Sequence, residues 1–80
     1  MTTQEAIANR IQQLCTDKGI TLNRLATVSG VPRSTVKNIF YGKSNNTGII
    51  TLKKLCDGLD ICLADFFDTD ELRGLEQEIV

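Results

Sequence analysis

Residues 25–39 read Leu25-Ala26-Thr27-Val28-Ser29-Gly30-Val31-Pro32-Arg33-Ser34-Thr35-Val36-Lys37-Asn38-Ile39. This stretch decides the fold. Gly30 suits a backbone position with positive φ, which closes one helix. Pro32 pre-sets φ for the first turn of the next. Two short helices joined by a tight turn follow. Leu22, Leu25 and Ala26 form the buried side of the first, and Ala26 is small because the pair crosses closely there. Val31 points inward across the turn. The later helix of the pair, the third of the chain, runs from about Pro32 to Tyr41, with Val36, Ile39 and Phe40 toward the core. Arg33, Ser34, Lys37 and Asn38 lie on its other side, facing outward.

The charge around this unit is one-sided. From Lys18 to Lys54 there are seven basic residues and no acidic ones. Residues 1–56 sum to +6 and residues 57–80 to −7, although the whole chain carries only −1. Such a split within one small chain implies a preferred docking face for something negative. The acidic part repels the same partner from the wrong side. A helix with a bare polar and cationic flank fits the major groove of B-DNA.

Outward from this unit the pattern stays helical. Thr2 and Glu5 have capping-box spacing, so a first helix begins near Thr3, with Ile7, Ile11, Leu14 and Cys15 on one face. Gly19 ends it, and Thr21 caps the second helix. After Gly42 comes a polar, turn-rich stretch, Lys43 to Gly48. A fourth helix begins between Gly48 and Thr51, with Leu52, Leu55, Cys56 and Leu59 inward. A fifth, Leu63 to Phe67, follows a link at Asp60-Ile61-Cys62. Leu72, Leu75 and Ile79 keep roughly helical spacing, but Gly74 interrupts them. They read as a sixth short helix packed on the domain, a dimer contact or a frayed tail. Arg10, Lys18 and Arg24 read as surface charges. Lys53 and Lys54 oppose the dipole at the start of the fourth helix, which suggests either a loose cap or a nearby anion, DNA phosphate being one candidate.

Eighty residues, 41% hydrophobic and 24% charged, make one globular domain. The expected division is a DNA-binding domain over 1–68 and an acidic C-terminal extension over 69–80. Three cysteines sit among apolar residues and no histidine is present, so a thiolate zinc site is not expected. Nor is catalysis, for want of a base, a nucleophile pair or a phosphate loop. No cofactor is expected. The absence of an apolar span or signal-peptide core points to a cytoplasmic protein that does not meet membranes.

Residues from about Arg10 to Phe67 resemble the helix-turn-helix domain of the phage repressor and Cro family. The resemblance rests on Leu25-Ala26, Gly30-Val31, Ser34-Thr35-Val36, Ile39, Gly42-Lys43, Leu55, Leu59 and Leu63-Ala64-Asp65-Phe66-Phe67. It implies an all-α, compact five-helix bundle like the lambda repressor, whose third helix reads bases. It also implies sequence-specific transcriptional control by a bacterial or phage regulator, usually a repressor acting as a homodimer on double-stranded DNA. Carried over by position, the base contacts are Arg33, Ser34, Lys37 and Asn38. The backbone contacts are Thr21, Asn23, Thr35, Lys43, Ser44, Asn45 and Asn46.

Three departures stand out against this family. Many members pair an Arg of the first helix with a Glu near the end of the third. Those positions hold Cys15 and Phe40, so an apolar contact is expected instead. Cys62 replaces the usual Ser or Thr N-cap, so the fifth helix should be poorly capped. The loop after the third helix lacks the usual proline. The competing reading is an antitoxin-like or adaptor-like protein-binding module on the same fold, with the acidic C-terminal segment docking a protein partner.

Overall fold

Six helices follow one another in a computed structural model that describes residues 1–44 and 46–79. They are α1 (Thr3–Lys18), α2 (Leu22–Ser29), α3 (Arg33–Phe40), α4 (Ile49–Gly58), α5 (Leu63–Phe67) and α6 (Asp70–Arg73). Five helices match the expected bundle and the sixth is one turn. No strand occurs among the described residues.

Local chemistry accounts for most of the boundaries. The Thr2 hydroxyl oxygen accepts from the Glu5 N–H at 3.3 Å, which caps α1, and the hydroxyl donates to Glu5 Oε1 at 2.8 Å, in place of the backbone N–H that a full capping box would use. Thr21 accepts from the Arg24 N–H at 3.1 Å and starts α2. Gly30 closes α2 at φ 66°, and its own N–H bonds back to Thr27. Pro32 lies one position earlier than a first helical residue: with ψ 138° it is the N-cap of α3 and supplies no side-chain bond. Cys62 does cap α5, contrary to expectation. Its sulfur accepts from the Asp65 N–H at 3.4 Å, although sulfur is a weaker acceptor than a hydroxyl.

Ile11, Leu25, Val36, Leu55, Cys56 and Phe66 are fully buried, and no polar or charged residue is buried among the described residues. α2 therefore packs between α3 and α4. Its approach to α4 is close: a Cβ on Gly58 would collide with Ser29 Oγ and press on Val28 Cγ2 at 3.1 Å. This crossing requires glycine at position 58.

α1 holds the ends of two other helices. Gln4 Nε2 donates to the Gly42 carbonyl at 2.8 Å, and Gln12 Nε2 donates to the Phe40 carbonyl. Arg10 is not the surface charge it resembled. Its Nε donates to the Phe66 carbonyl at 2.8 Å and its Nη2 to the Asp65 carbonyl at 2.9 Å. The guanidinium carbon lies 5.9 Å from the Phe66 ring centroid, within cation–π range. Cys15 is buried and Phe40 packs against the same core, so apolar packing stands where the family's ion pair would be. Two glutamines supply the polar link between α1 and the end of α3.

α6 lies against α1. Thr69 caps it, and Asn9 Nδ2 reaches Glu71 Oε1 at 3.2 Å. Leu72 packs on the domain's own core. Leu72 is thus spent within the chain, Leu75 is half-buried, and Ile79 stays 88% exposed.

Candidate nucleic-acid interface

α3 is braced from behind and open in front. Val36 and Ile39 are 0% and 3% exposed and fix the helix to the core. Arg33, Ser34, Lys37 and Asn38 are all exposed. Their spacing of three and four residues sets them in one patch along the helix. None of the four side chains takes part in an ion pair or side-chain hydrogen bond among the described residues. Elsewhere Arg10, Arg73, Lys53 and Asn9 do reach carbonyls or carboxylates. Thr35 is half-buried between this patch and the core.

Next to the patch, Thr21, Leu22, Asn23, Arg33, Lys37 and Tyr41 line a shallow cleft of about 320 Å³. The fold thereby brings two expected base-contact residues together with two expected backbone-contact residues. The Thr21 oxygen is occupied by its cap, but its hydroxyl proton is left to donate outward. α2 starts at this cleft, so its positive end adds to Arg33 and Lys37.

Tyr41 was not foreseen from sequence. It is 58% exposed, and its ring stands edge-to-face on Phe40 with centroids 5.3 Å apart and planes at 74°. A core aromatic thus props a polar-tipped aromatic at the mouth of the cleft. The sequence signal was there: Tyr41 follows the last apolar anchor of α3 by one residue, so it points off the buried face.

The remaining expected backbone contacts fall elsewhere. Lys43 is exposed, and its N–H donates to the Asn38 carbonyl at 2.8 Å, which fixes the start of the loop to the end of α3. Ser44 and Asn46 line a second, larger groove of about 680 Å³ with Thr47, Ile49 and residues 76–78. Asn45 lies outside the described residues. Lys53 is not a free charge at the start of α4: it pairs with Asp57 one turn on. The hydrogen bond to Asp57 holds its ammonium above the usual lysine range. Lys54 remains exposed.

The described residues contain no group of three His, Cys, Asp or Glu able to hold a metal ion, and no helix long and apolar enough to cross a membrane.

Residues 10–71 match the family profile of the Cro/C1-type HTH DNA-binding domain. Among solved structures, the prophage Lp1 protein 11 is 38% identical with a TM-score of 0.77, over 88% of this chain and 93% of that one. The restriction-modification controller protein C.AhdI from Aeromonas hydrophila is 32% identical with a TM-score of 0.72, over 78% of this chain and 92% of that one. An HTH_3 family transcriptional regulator from Vibrio cholerae is 32% identical with a TM-score of 0.76, over 85% of this chain but only 38% of that one. No curated protein matches. The chain belongs to the Cro/C1-type helix-turn-helix family, and its fold is that of a DNA-binding domain.

Proposed function

We propose that the protein is a sequence-specific transcriptional regulator, acting as a repressor, that lays α3 in the major groove of double-stranded DNA. The observation that carries this reading is the patch of Arg33, Ser34, Lys37 and Asn38, exposed and without side-chain partners among the described residues, on a helix anchored by Val36 and Ile39. Arg33 donates both arms of its guanidinium to guanine O6 and N7, and Asn38 pairs with adenine N6 and N7. Ser34 and Lys37 complete the readout. Thr21, Asn23 and Tyr41 hold one phosphate at the cleft, and Thr35, which does not line the cleft, reaches a separate one. Lys43 and the loop that follows hold the next.

Residues 1–68 form the DNA-binding domain and residues 69–80 an acidic extension to it. A domain this small makes few base contacts, so a dimer on a two-fold operator supplies useful affinity. With Leu72 turned inward, the apolar side chains exposed enough for that contact include Ile49, Ile50, Phe67 and Ile79, at 58%, 68%, 38% and 88%. Selection of bound duplexes from a random pool tests the reading. A recovered motif with two-fold symmetry is the expected result. Recovery of no motif, with binding that is equal for all duplexes, would overturn it.

A further inference from the structure

The C-terminal segment returns to the domain beside the loop that follows α3. The Glu76 N–H donates to the Met1 carbonyl at 3.4 Å, which ties the segment to the start of α1. α6 holds it from the other side through Leu72 on the core and Glu71 on Asn9. These two ties set the path up to Glu76, and Glu76, Gln77 and Glu78 line the same groove as Ser44, Asn46 and Thr47. Ile49 lines it too, and it is the first residue of α4. Gly48 caps α4 without any side-chain bond, and no acidic residue lies in the first turn. The positive end of a ten-residue helix is therefore left without a carboxylate of its own, and the carboxylates that line the groove with Ile49 are those of Glu76 and Glu78.

We propose that residues 76–78 act as an internal counter-anion, an autoinhibitory contact that competes with DNA phosphate for the loop after α3 and the start of α4. The inference rests on the DNA-binding reading above and adds a regulation to it. A phosphate brought to Ser44 and Asn46 enters a groove already bordered by two carboxylates. Either the phosphate meets their repulsion or the tail must leave. Both cases weaken binding, the second also by the loss of the Glu76–Met1 bond, and salt screens the part of the penalty that comes from charge. The base-reading patch on α3 does not line this groove, so the tail tunes affinity and not sequence preference. A partner or modification that lifts the tail from Met1 would release the inhibition.

Glu76→Gln with Glu78→Gln is the direct test, because both residues are exposed and the exchange leaves size and packing alone. Affinity for the selected duplex is measured at several salt concentrations against the wild-type chain. A second variant, Asp60→Asn with Asp65→Asn, removes the same formal charge at the far end of α4 and the start of α5. The tail variant should bind about three- to tenfold more tightly at low salt, with the gain shrinking as salt rises toward ~0.2 M. The ranking of duplexes should not change, and the control should gain clearly less. Equal gains in both variants would reduce the effect to net charge and overturn the proposal, as would no gain in the tail variant. If neither the wild-type chain nor any variant prefers one duplex over another, the DNA-binding reading itself fails and the tail's role falls with it.

Discussion

Arg10 and Arg33 mark two ends of the molecule that use the same side chain in opposite ways. At the α5–α6 end, Arg10 spends its donors on the Phe66 and Asp65 carbonyls and lies over the Phe66 ring. Asn9 reaches Glu71 there, and Arg73 pairs with Asp68 and Asp70. At the α3 end, Arg33, Lys37 and Asn38 make no such bonds among the described residues. A side chain that satisfies its own fold has little left for a ligand. One that is held out by a braced helix, with donors unmet, keeps its full hydrogen-bonding capacity for one. The first end is structural and the second carries the proposed interface.

The largest expected effect tests the structural end. Phe66→Ala empties a fully buried position and should cost about 3–5 kcal/mol, most of the stability of a domain this small. Urea unfolding reads it directly. A loss below about 1 kcal/mol would mean that the α5 end is not part of the cooperative core. A sharper break compares the two arginines. Arg10→Ala should lower stability by about 1.5–3 kcal/mol, since it leaves two carbonyls without a charged donor. Duplex ranking should stay the same wherever the chain remains folded. Arg33→Ala should leave the urea midpoint nearly unmoved, yet cost about 1–3 kcal/mol of binding and relax preference at one base pair. If both variants change the same property, the division between the two ends is wrong.

This contrast was only half legible in the sequence. The helices themselves were, because Thr2, Thr21, Gly19 and Gly30 are local signals that act within one turn of themselves. The open flank of α3 followed from the period of Val36 and Ile39. Arg10 was misread because its partners lie 55 and 56 residues away in the chain. Nothing local separates an arginine that meets a distant carbonyl from one that meets water. The same holds for the glutamines of α1, whose partners at the end of α3 depend on how the helices cross. Tyr41 failed for another reason: the reading ended α3 there and asked nothing of a terminal residue. The split of the expected phosphate contacts between two grooves is a property of the surface, which no spacing rule encodes.

A smaller effect separates reading from gripping within the interface. Lys43 follows the end of α3, beyond the patch proposed to read bases, and its backbone is tied to Asn38. Lys43→Ala should weaken all duplexes alike and lower the salt slope by about 1, the signature of one phosphate contact. A change in sequence preference instead would move Lys43 into the readout and blur the line drawn here.

The smallest effect carries the contrast between spent and available groups to chemically identical thiols. Cys15 and Cys56 are buried, and Cys62 is exposed. Burial pushes the Cys15 thiol above its ordinary value of 9.0. It does the same to Cys56, with Lys53 partly offsetting the rise. A neutral-pH alkylating agent should therefore label Cys62 first, and the other two only as fast as the chain opens. The linkage has a definite sign. Above the unfolded thiol value the unfolded chain has already released these protons while the folded chain retains them. Stability is therefore complete below that value and falls as pH rises through the alkaline range toward the raised folded values. Cys56→Ala removes one such group, so it should begin less stable than the wild-type chain and lose less as pH climbs. The gap between their urea midpoints should narrow from about pH 8 to about pH 10. A constant gap would mean that the Cys56 thiol titrates alike in both states, and that the close packing of α4 against α2 does not exclude water from it.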